Sequence, residues 1–440
     1  MTQNNNLNYF HIINLGCKVN LFEANAVSND LINYGLKITD DINQADVVVV
    51  NTCSVTNNAD SKSKNMINKS INASKKPIVI VMGCFSQVNK KWFNSKANII
   101  IGNKYKNNVV GLLKQFLLDK NQINKIENIF EVNEFENLKN DIFLENTRAF
   151  LKIQDGCNFY CNYCIIPFAR GKQRSKKQDE IITDIKSLVS KGYKEIILVG
   201  VNTSGYNDNG FKFYDLLKSI DSIEGSFRVR ISSLEPFLIN KKIIDLIANN
   251  SKRWCKHFHL CLQSASNKVL KEMNRHYTIE QFIELVNYIK YKIPDCAITT
   301  DYIVGYPSEG DADWSECLKN LKIIQFSDVH IFPFSARKNT VASLIKPIVS
   351  SKQIKQRLTE IADLKKQMQE KYLKNFLNKN VEILVETQDD NENKQGHSSQ
   401  FFVVKFKSKN KLWNKIVNVK VDKIIDNIVY GTALGEKHEK

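Results

Sequence analysis

The stretch Phe150-Leu-Lys-Ile-Gln-Asp-Gly-Cys157-Asn-Phe-Tyr-Cys161-Asn-Tyr-Cys164 decides the fold. An alternating strand-like run comes first. A turn at Asp155-Gly156 follows, and then three cysteines spaced C-x-x-x-C-x-x-C. A reactive loop at the carboxyl end of a strand is where α/β barrels place their chemistry. Three thiolates on so short a loop can ligate three irons of a cubane [4Fe–4S] cluster and leave the fourth iron without a protein ligand. Structural zinc more often takes paired C-x-x-C or Cys/His ligands, and no fourth ligand follows nearby. The ferredoxin spacing C-x-x-C-x-x-C does not match. A zinc or purely structural site is the competing reading.

Downstream of this loop, strand and helix patterns alternate. Strands are expected at Phe150–Gln154, Glu195–Val199, Phe227–Ile231, His257–Leu262, Ile298–Val304 and Val329–Phe334, with helices between them, such as Lys212–Ile223 and Ile279–Lys290. Six βα repeats suit an incomplete barrel rather than a full eightfold one. Upstream, Tyr9–Leu15, Asp46–Asn51 and Pro77–Met82 read as strands, each followed almost at once by a cysteine: Cys17, Cys53 and Cys84. The gaps of 36 and 31 residues are each about one βαβ repeat. Such repeats build a parallel sheet with right-handed crossovers, so all three cysteines fall at one carboxyl edge, where open α/β sheets bind ligands. A second three-cysteine cluster site follows from that topology, and three buried core cysteines are the plainer alternative. The polar stretch 103–146, with a helical run near Val109–Leu118, reads as a connection between domains.

After Pro347 a Lys/Gln-rich helix runs to about Asn378, its apolar residues Ile354, Leu358, Ile361 and Leu364 recurring at helical spacing. Short alternating strands at Val381–Glu386, Phe401–Phe406, Ile416–Val421 and Ile428–Thr432 form a small all-β module. Lys405, Lys407, Lys409 and Lys411 crowd it, interleaved with Phe401, Phe402 and Phe406. This pattern suits RNA, unless the aromatics are core.

The chain has 440 residues, with 42% hydrophobic and 25% charged residues. That is enough for two or three ordinary globular domains. Lys plus Arg exceeds Asp plus Glu by 63 to 46, a net +17. The excess suits a polyanionic partner, or simply reflects a Lys- and Asn-rich composition. No run of eighteen apolar residues exists, so no membrane span is expected. Met1–Asn6 shows no basic segment leading into an apolar one, so a cytoplasmic location is expected. Ten cysteines without a closely spaced disulfide ladder read as metal sites.

These motifs carry a resemblance. Asn14-Leu-Gly-Cys-Lys-Val-Asn20, Asn51-Thr-Cys-Ser-Val-Thr56, Gly83-Cys84, the 157–164 loop, Arg230-Ile-Ser-Ser-Leu-Glu235, Leu260-Cys-Leu-Gln-Ser264 and Ile303-Val-Gly-Tyr-Pro307 together resemble the methylthiotransferase family of radical-SAM enzymes along nearly the whole chain. The form Leu-Gly-Cys-Lys-Val-Asn and Gly396-His397-Ser398-Ser399 are most similar to the branch that acts on N6-threonylcarbamoyladenosine in tRNA. The isopentenyladenosine and ribosomal-protein branches are the nearest alternatives. A non-catalytic, metal-containing RNA-binding protein is the alternative from another class. The resemblance implies an α/β chain of three parts: an amino-terminal domain over 1–140, a radical-SAM barrel over 146–376 and a TRAM domain over 377–440. Cys261, Ala265 and Ser308-Glu309-Gly310 depart from the family's usual Pro, Gly and Gly-Glu-Thr.

The resemblance also implies two [4Fe–4S] clusters, one on Cys157, Cys161 and Cys164 and one on Cys17, Cys53 and Cys84, with S-adenosylmethionine as co-substrate. Its amino and carboxylate groups would chelate the open iron and its sulfonium would yield the 5′-deoxyadenosyl radical. The other cluster would hold the sulfur to be methylated and transferred. Adenosine C2–H is not acidic, so ordinary base catalysis cannot replace that hydrogen, whereas a radical route can. The expected partners are a tRNA anticodon loop with adenosine 37 unpaired, a reducing electron donor and a sulfur source. Tyr163, Glu235 and Gln263 are candidate S-adenosylmethionine contacts or ordinary packing groups. Arg170, Lys172, Arg174, Lys176 and Lys177 follow the cysteine loop and read either as phosphate contacts or as a solvated helix start. His257 and His259 read as structural, and Cys255, Cys296 and Cys317 as core.

Overall fold

The computed structural model describes residues 7–93, 96–140, 147–387 and 392–434. The segment 1–6, the end of the polar connection at 141–146 and the tail 435–440 lie outside the described residues. The chain divides into two compact units, and their borders do not follow those of the three expected domains. The first unit joins the amino-terminal part to Lys152–Lys176, which carries the cysteine loop, and to Ser335–Ser343. The second unit holds both the six-stranded barrel and the carboxyl-terminal β module.

The first unit is built on a parallel sheet: β1 Tyr9–Asn14, β2 Lys37–Ile38, β3 Val47–Thr52, β4 Ile78–Gly83, β5 Ile99–Ile101 and β6 Ile123–Lys125, in the order β2-β1-β3-β4-β5-β6. The long strands fall within one residue of expectation because continuous apolar runs mark strands covered on both faces. All six residues of β3 are buried. Val47, Val49, Ile80 and Phe10 pack under α1 (Lys18–Asn33) and the helix Val109–Asp119. Val48, Val50, Val79 and Val81 pack on the opposite face with Ile67 of α2 (Asn57–Ile71). From 103 onward, the helical run expected near Val109–Leu118 is the helix Val109–Asp119, whereas the edge strand β6 corrects the reading of the rest as an irregular connection. Strands of three residues are too short to show a period.

The second unit contains the six expected strands in chain order, except for Lys152 at the end of the first. Arg148–Lys152, Glu195–Val199 and Arg228–Ile231 form one sheet; Ser233–Leu234, His257–Leu260, Ala297–Val304 and Asp328–Pro333 form the next. The third strand breaks at Ser232, whose N–H donates to Leu198 O at 3.0 Å. Its first half pairs with Glu195–Val199 and its second half with His257–Leu260. The result is the incomplete barrel that the repeat count implies. Ser350 and Gln353 form a capping box at the start of the long helix Ser351–Lys374.

The carboxyl-terminal module is a closed five-stranded barrel, one strand more than expected. The unexpected strand is Asn393–Ser398, which contains no large apolar residue. Its Gly396 is required by close approach: a Cβ there would lie 1.9 Å from Leu384 O. The end of this strand and Ser399 after it seat on the larger barrel. Arg228 and Arg230 donate to the carbonyls of His397, Ser398 and Ser399 at 2.9–3.0 Å, and buried Glu195 holds both guanidinium groups at 2.7 and 2.8 Å. Phe401, at φ +78°, stacks on His257 with ring centroids 5.0 Å apart. Charge-assisted bonds to three successive carbonyls fix one docking geometry.

Candidate active site

Cys17, Cys53 and Cys84 are brought together at the carboxyl edge of the sheet in the first unit. Cys17 caps the start of α1, Cys53 follows β3 directly, and Cys84 opens the short helix Cys84–Val88 after β4. Interlocked amides fix these three strand ends. Asn51 Nδ2 donates to Asn20 O at 2.7 Å, and Asn20 Nδ2 returns bonds to Asn51 Oδ1 at 3.2 Å and Thr52 O at 3.0 Å. Thr52 Oγ1 donates to Met82 O at 2.7 Å. Gly83 adopts φ +105°, where a Cβ would lie 2.6 Å from Thr52 O, so only glycine lets β4 turn into Cys84 at this distance from β3.

Behind the thiols lies a fully buried ion network. Arg170 donates to Glu23 Oε1 and Asp155 Oδ1, both at 2.9 Å, and to Asn20 Oδ1 at 2.8 Å. Lys152 Nζ stands 2.7 Å from Glu23 Oε1 and 2.7 Å from Asp155 Oδ2. Lys106 and Arg174 complete the set at 3.3 and 3.6 Å. Four cations thus face two carboxylates, with Glu136 adding a weaker pull on Lys106. Burial opposes ionisation of Glu23, but Arg170, Lys106 and Lys152 outweigh it and hold its carboxyl well below the usual range. Burial pushes the Cys53 thiol up to about 12 and raises Cys84 as well, while Arg170 pulls both down.

This surplus of buried positive charge is costly unless anions complete it. Metal ligation needs cysteine as thiolate, and three thiolates on the sheet edge would supply that negative charge. The donor set therefore fits an iron–sulfur cluster. Asn103 Nδ2 lies 3.5 Å from Cys84 Sγ and also donates to Ala169 O at 2.7 Å. Arg337 donates to Ser54 Oγ, Asn57 Oδ1 and Asp60 Oδ2 at 2.9, 2.6 and 2.7 Å, which pins the turn after Cys53.

Cys157, Cys161 and Cys164 are all half-buried on one loop of the same unit. Residues Gln154–Asp155 pair antiparallel with Arg174–Ser175 and close the loop at its base. Cys157 N donates to Gly171 O at 3.1 Å and Cys164 N to Cys161 O at 2.9 Å. Gly156, at φ +70°, passes so near Lys172 O that a Cβ would lie 2.0 Å from it. No disulfide joins any of the ten cysteines. Tyr163 is half-buried beside Cys164.

Three expected phosphate contacts are corrected by the structure. Arg170 and Arg174 are buried, and Arg174 spends its guanidinium on the carbonyls of Arg170, Lys172 and Val132. Lys176 is buried too, whereas Lys172 and Lys177 are exposed. Burial follows because the segment after the cysteine loop folds back into the ion network instead of starting a solvated helix. Glu23, Lys106, Lys152 and Asp155 were not singled out by sequence reasoning, although Asp155 lies in the quoted stretch. Glu23 meets Lys152 across 129 residues and Arg170 across 147, which leaves no local signal.

In the second unit, Glu235 is buried and ion-paired to Arg275; burial raises its carboxyl pKa against the pull of that arginine. Gln263, at φ +67°, donates its N–H to Asp301 O and accepts from Ile303 N, both at 2.9 Å. The departure at Cys261 has a use: its N–H donates to Leu234 O at 3.1 Å, a bond proline could not make. Lys405 and Lys407 line a groove of about 780 Å³ on the small barrel together with Lys394, Lys423 and Tyr430.

Comparison with known proteins adds the following. A model of the Radical SAM superfamily matches residues 151–321, and one of the uncharacterized protein family UPF0004 matches residues 9–102. The threonylcarbamoyladenosine tRNA methylthiotransferase MtaB of Bacillus subtilis is 35% identical over 92% of this chain and 92% of its own length. The Aquifex aeolicus protein of the same name is 37% identical over 82% and 89%. A tRNA-2-methylthio-N(6)-dimethylallyladenosine synthase of Thermodesulfovibrio yellowstonii is 32% identical over 94% and 96%. Among solved structures, the radical S-adenosylmethionine methyltransferase TsrM of Kitasatospora setae aligns with a TM-score of 0.55 at 12% identity, over 74% of this chain and 75% of its own. That likeness shows the fold alone.

Proposed function

As the chain belongs to the MtaB-type branch of the radical-SAM methylthiotransferases, we propose that its two cysteine triads serve as separate cluster sites for the methylthiolation of adenosine in tRNA. The enzyme is a transferase that uses S-adenosylmethionine and [4Fe–4S] clusters. Its product is the 2-methylthio form of N6-threonylcarbamoyladenosine at position 37. When bound, these groups supply the electron, the radical and the methyl and sulfur that amino-acid side chains cannot.

The chain's own residues do the rest. Cys157, Cys161 and Cys164 hold one cluster on a loop whose hairpin base fixes their spacing. Cys17, Cys53 and Cys84 hold the other, and Arg170 offsets part of the rise that burial imposes on the Cys53 and Cys84 thiols. Glu235, kept in place by Arg275, and Gln263, on its left-handed backbone, are proposed S-adenosylmethionine contacts, with Tyr163 beside the cysteine loop. Lys172, Lys405 and Lys407 are the proposed phosphate contacts, and the anticodon loop is the proposed target because its bases are unpaired. A reducing donor and a sulfur source complete the proposed partners. The proposed domain borders remain 1–140, 146–376 and 377–440.

The single observation that carries this reading is the convergence of Cys17, Cys53 and Cys84 over a surplus of buried cations. Mass analysis of tRNA nucleosides from a deletion strain tests it. Loss of 2-methylthio-N6-threonylcarbamoyladenosine, restored by this chain, is the expected result. Loss of a methylthiolated isopentenyladenosine instead, or unchanged nucleosides, would overturn the substrate assignment.

A further inference from the structure

His259, Asp301 and His330 lie on three adjacent parallel strands of the larger barrel, far in sequence from either cysteine triad. Asp301 pairs directly with His330 across the ladder, and His259 pairs with Thr299, two residues before Asp301. Side chains two apart share a face, so all three project from one side of the sheet. The side chain of His330 is 49% exposed, so this face opens to solvent at the last strand.

One carboxylate stands between two imidazoles. His259 Nε2 is 3.4 Å from Asp301 Oδ2, and His330 Nδ1 is 3.2 Å from Asp301 Oδ1. The three candidate ligand atoms all lie within 4.8 Å of one another. The other nitrogen of His259 has a hydrogen-bond partner, and that of His330 faces a carboxylate at a longer distance. His259 Nδ1 is 2.9 Å from Thr299 Oγ1, and His330 Nε2 is 3.8 Å from Asp328 Oδ2. Lys365 Nζ in turn holds Asp328 at 2.9 Å. Metal-binding histidines are generally oriented in this way, by a partner on the nitrogen that does not ligate. The Thr299 hydroxyl lies 2.9 Å from both His259 Nδ1 and His257 Nε2 and so orients the His259 ring.

We infer that His259, Asp301 and His330 form a mononuclear site for a divalent first-row transition ion. Two histidines and one carboxylate on a single face form the ligand set that binds such ions while leaving coordination positions open. The open positions face the exposed side of His330 and take water or an oxygen ligand. His259 therefore does more than fill the barrel. The inference is independent of the tRNA substrate, because it rests on residues that no cysteine cluster uses.

Zinc content and zinc-edge X-ray absorption on the full, cluster-loaded chain test this. The chain is equilibrated anaerobically with a small excess of Zn2+, then desalted. The wild type should retain roughly one zinc per chain in a shell of nitrogen and oxygen. His330→Ala, at a half-exposed position that should not perturb folding, and the near-isosteric Asp301→Asn should each lower zinc retention at least tenfold. Iron and sulfide should stay unchanged in both. Equal zinc in wild type and variants, no retained zinc at all, or a sulfur-dominated shell would each overturn the assignment; in the first two cases the triad is only a hydrogen-bonded imidazole–carboxylate pair.

Discussion

The two cysteine triads sit in one compact unit but are assembled in opposite ways. Cys157, Cys161 and Cys164 are neighbours in sequence, and their spacing is set by a hairpin closed between Gln154–Asp155 and Arg174–Ser175. Cys17, Cys53 and Cys84 are gathered by topology: each follows a different strand of one parallel sheet. A local triad needs only its loop. A topological triad needs the whole sheet edge, the Asn20–Asn51–Thr52 bonding and a glycine at position 83. At the topological triad, burial raises Cys53 and Cys84 and Arg170 offsets part of that rise.

The contrast can be broken most directly at the cysteines. Replacing Cys17, Cys53 or Cys84 singly by Ala should abolish methylthiolated nucleoside, a loss of at least a hundredfold in an assay on unmodified tRNA. The 5′-deoxyadenosine formed from S-adenosylmethionine should stay within about threefold of wild type. Normal product from all three variants would remove any distinct role for the topological triad.

A smaller effect is expected at the ion network. Arg170→Met leaves Glu23 and Asp155 buried with fewer partners, and breaking a buried pair typically costs about 3–5 kcal/mol. Chemical denaturation of the unit that holds residues 7–140 should show that loss, together with weaker iron retention at the topological triad. Glu23→Gln should act in the same direction by leaving the cations uncompensated. A variant as stable as wild type would mean that the network is solvated in solution.

These residues also show how much the sequence disclosed. Continuous apolar strands such as Val47–Thr52 and the spacing of the six cysteines were legible, because short-range pattern determines both. The incomplete barrel was legible from six repeats. The strands Ile99–Ile101, Ile123–Lys125 and Asn393–Ser398 were not. Two are too short for a period, and the third contains no large apolar residue. The roles of Arg170 and Arg174 were misread because a basic run after a loop looks solvated, whereas their partner Glu23 lies in a distant helix. Nothing within the 157–177 segment announces that partner.

Thiol reactivity sharpens the contrast at a finer scale. In cluster-free protein, Cys53 has its thiol pushed up to about 12 by burial. Its thiolate fraction near pH 8 is therefore small, and it should alkylate at least tenfold more slowly than exposed Cys17. The rate at Cys53 should climb about tenfold per pH unit from 8 to 10. The sign for stability follows. A raised pKa favours the folded thiol form fully below the ordinary value of 9.0, and that contribution fades as pH rises from there toward 12. Equal alkylation of the two cysteines, read by mass spectrometry of peptides, would contradict the burial argument. The smallest effect belongs to the groove on the small barrel. Lys405→Ala with Lys407→Ala should weaken tRNA binding and lower the slope of log affinity against log salt by roughly one to two. An unchanged slope would place both lysines off the RNA.

The central claim is that two separable cluster sites share one unit, and two triple variants measured side by side test it most directly. Changing Cys157, Cys161 and Cys164 to Ala should leave about half of the wild-type iron and no 5′-deoxyadenosine. Changing Cys17, Cys53 and Cys84 to Ala should also leave about half of the iron, with 5′-deoxyadenosine still formed. The claim is contradicted if either triple variant keeps full iron, if both lose all of it, or if the first still cleaves S-adenosylmethionine.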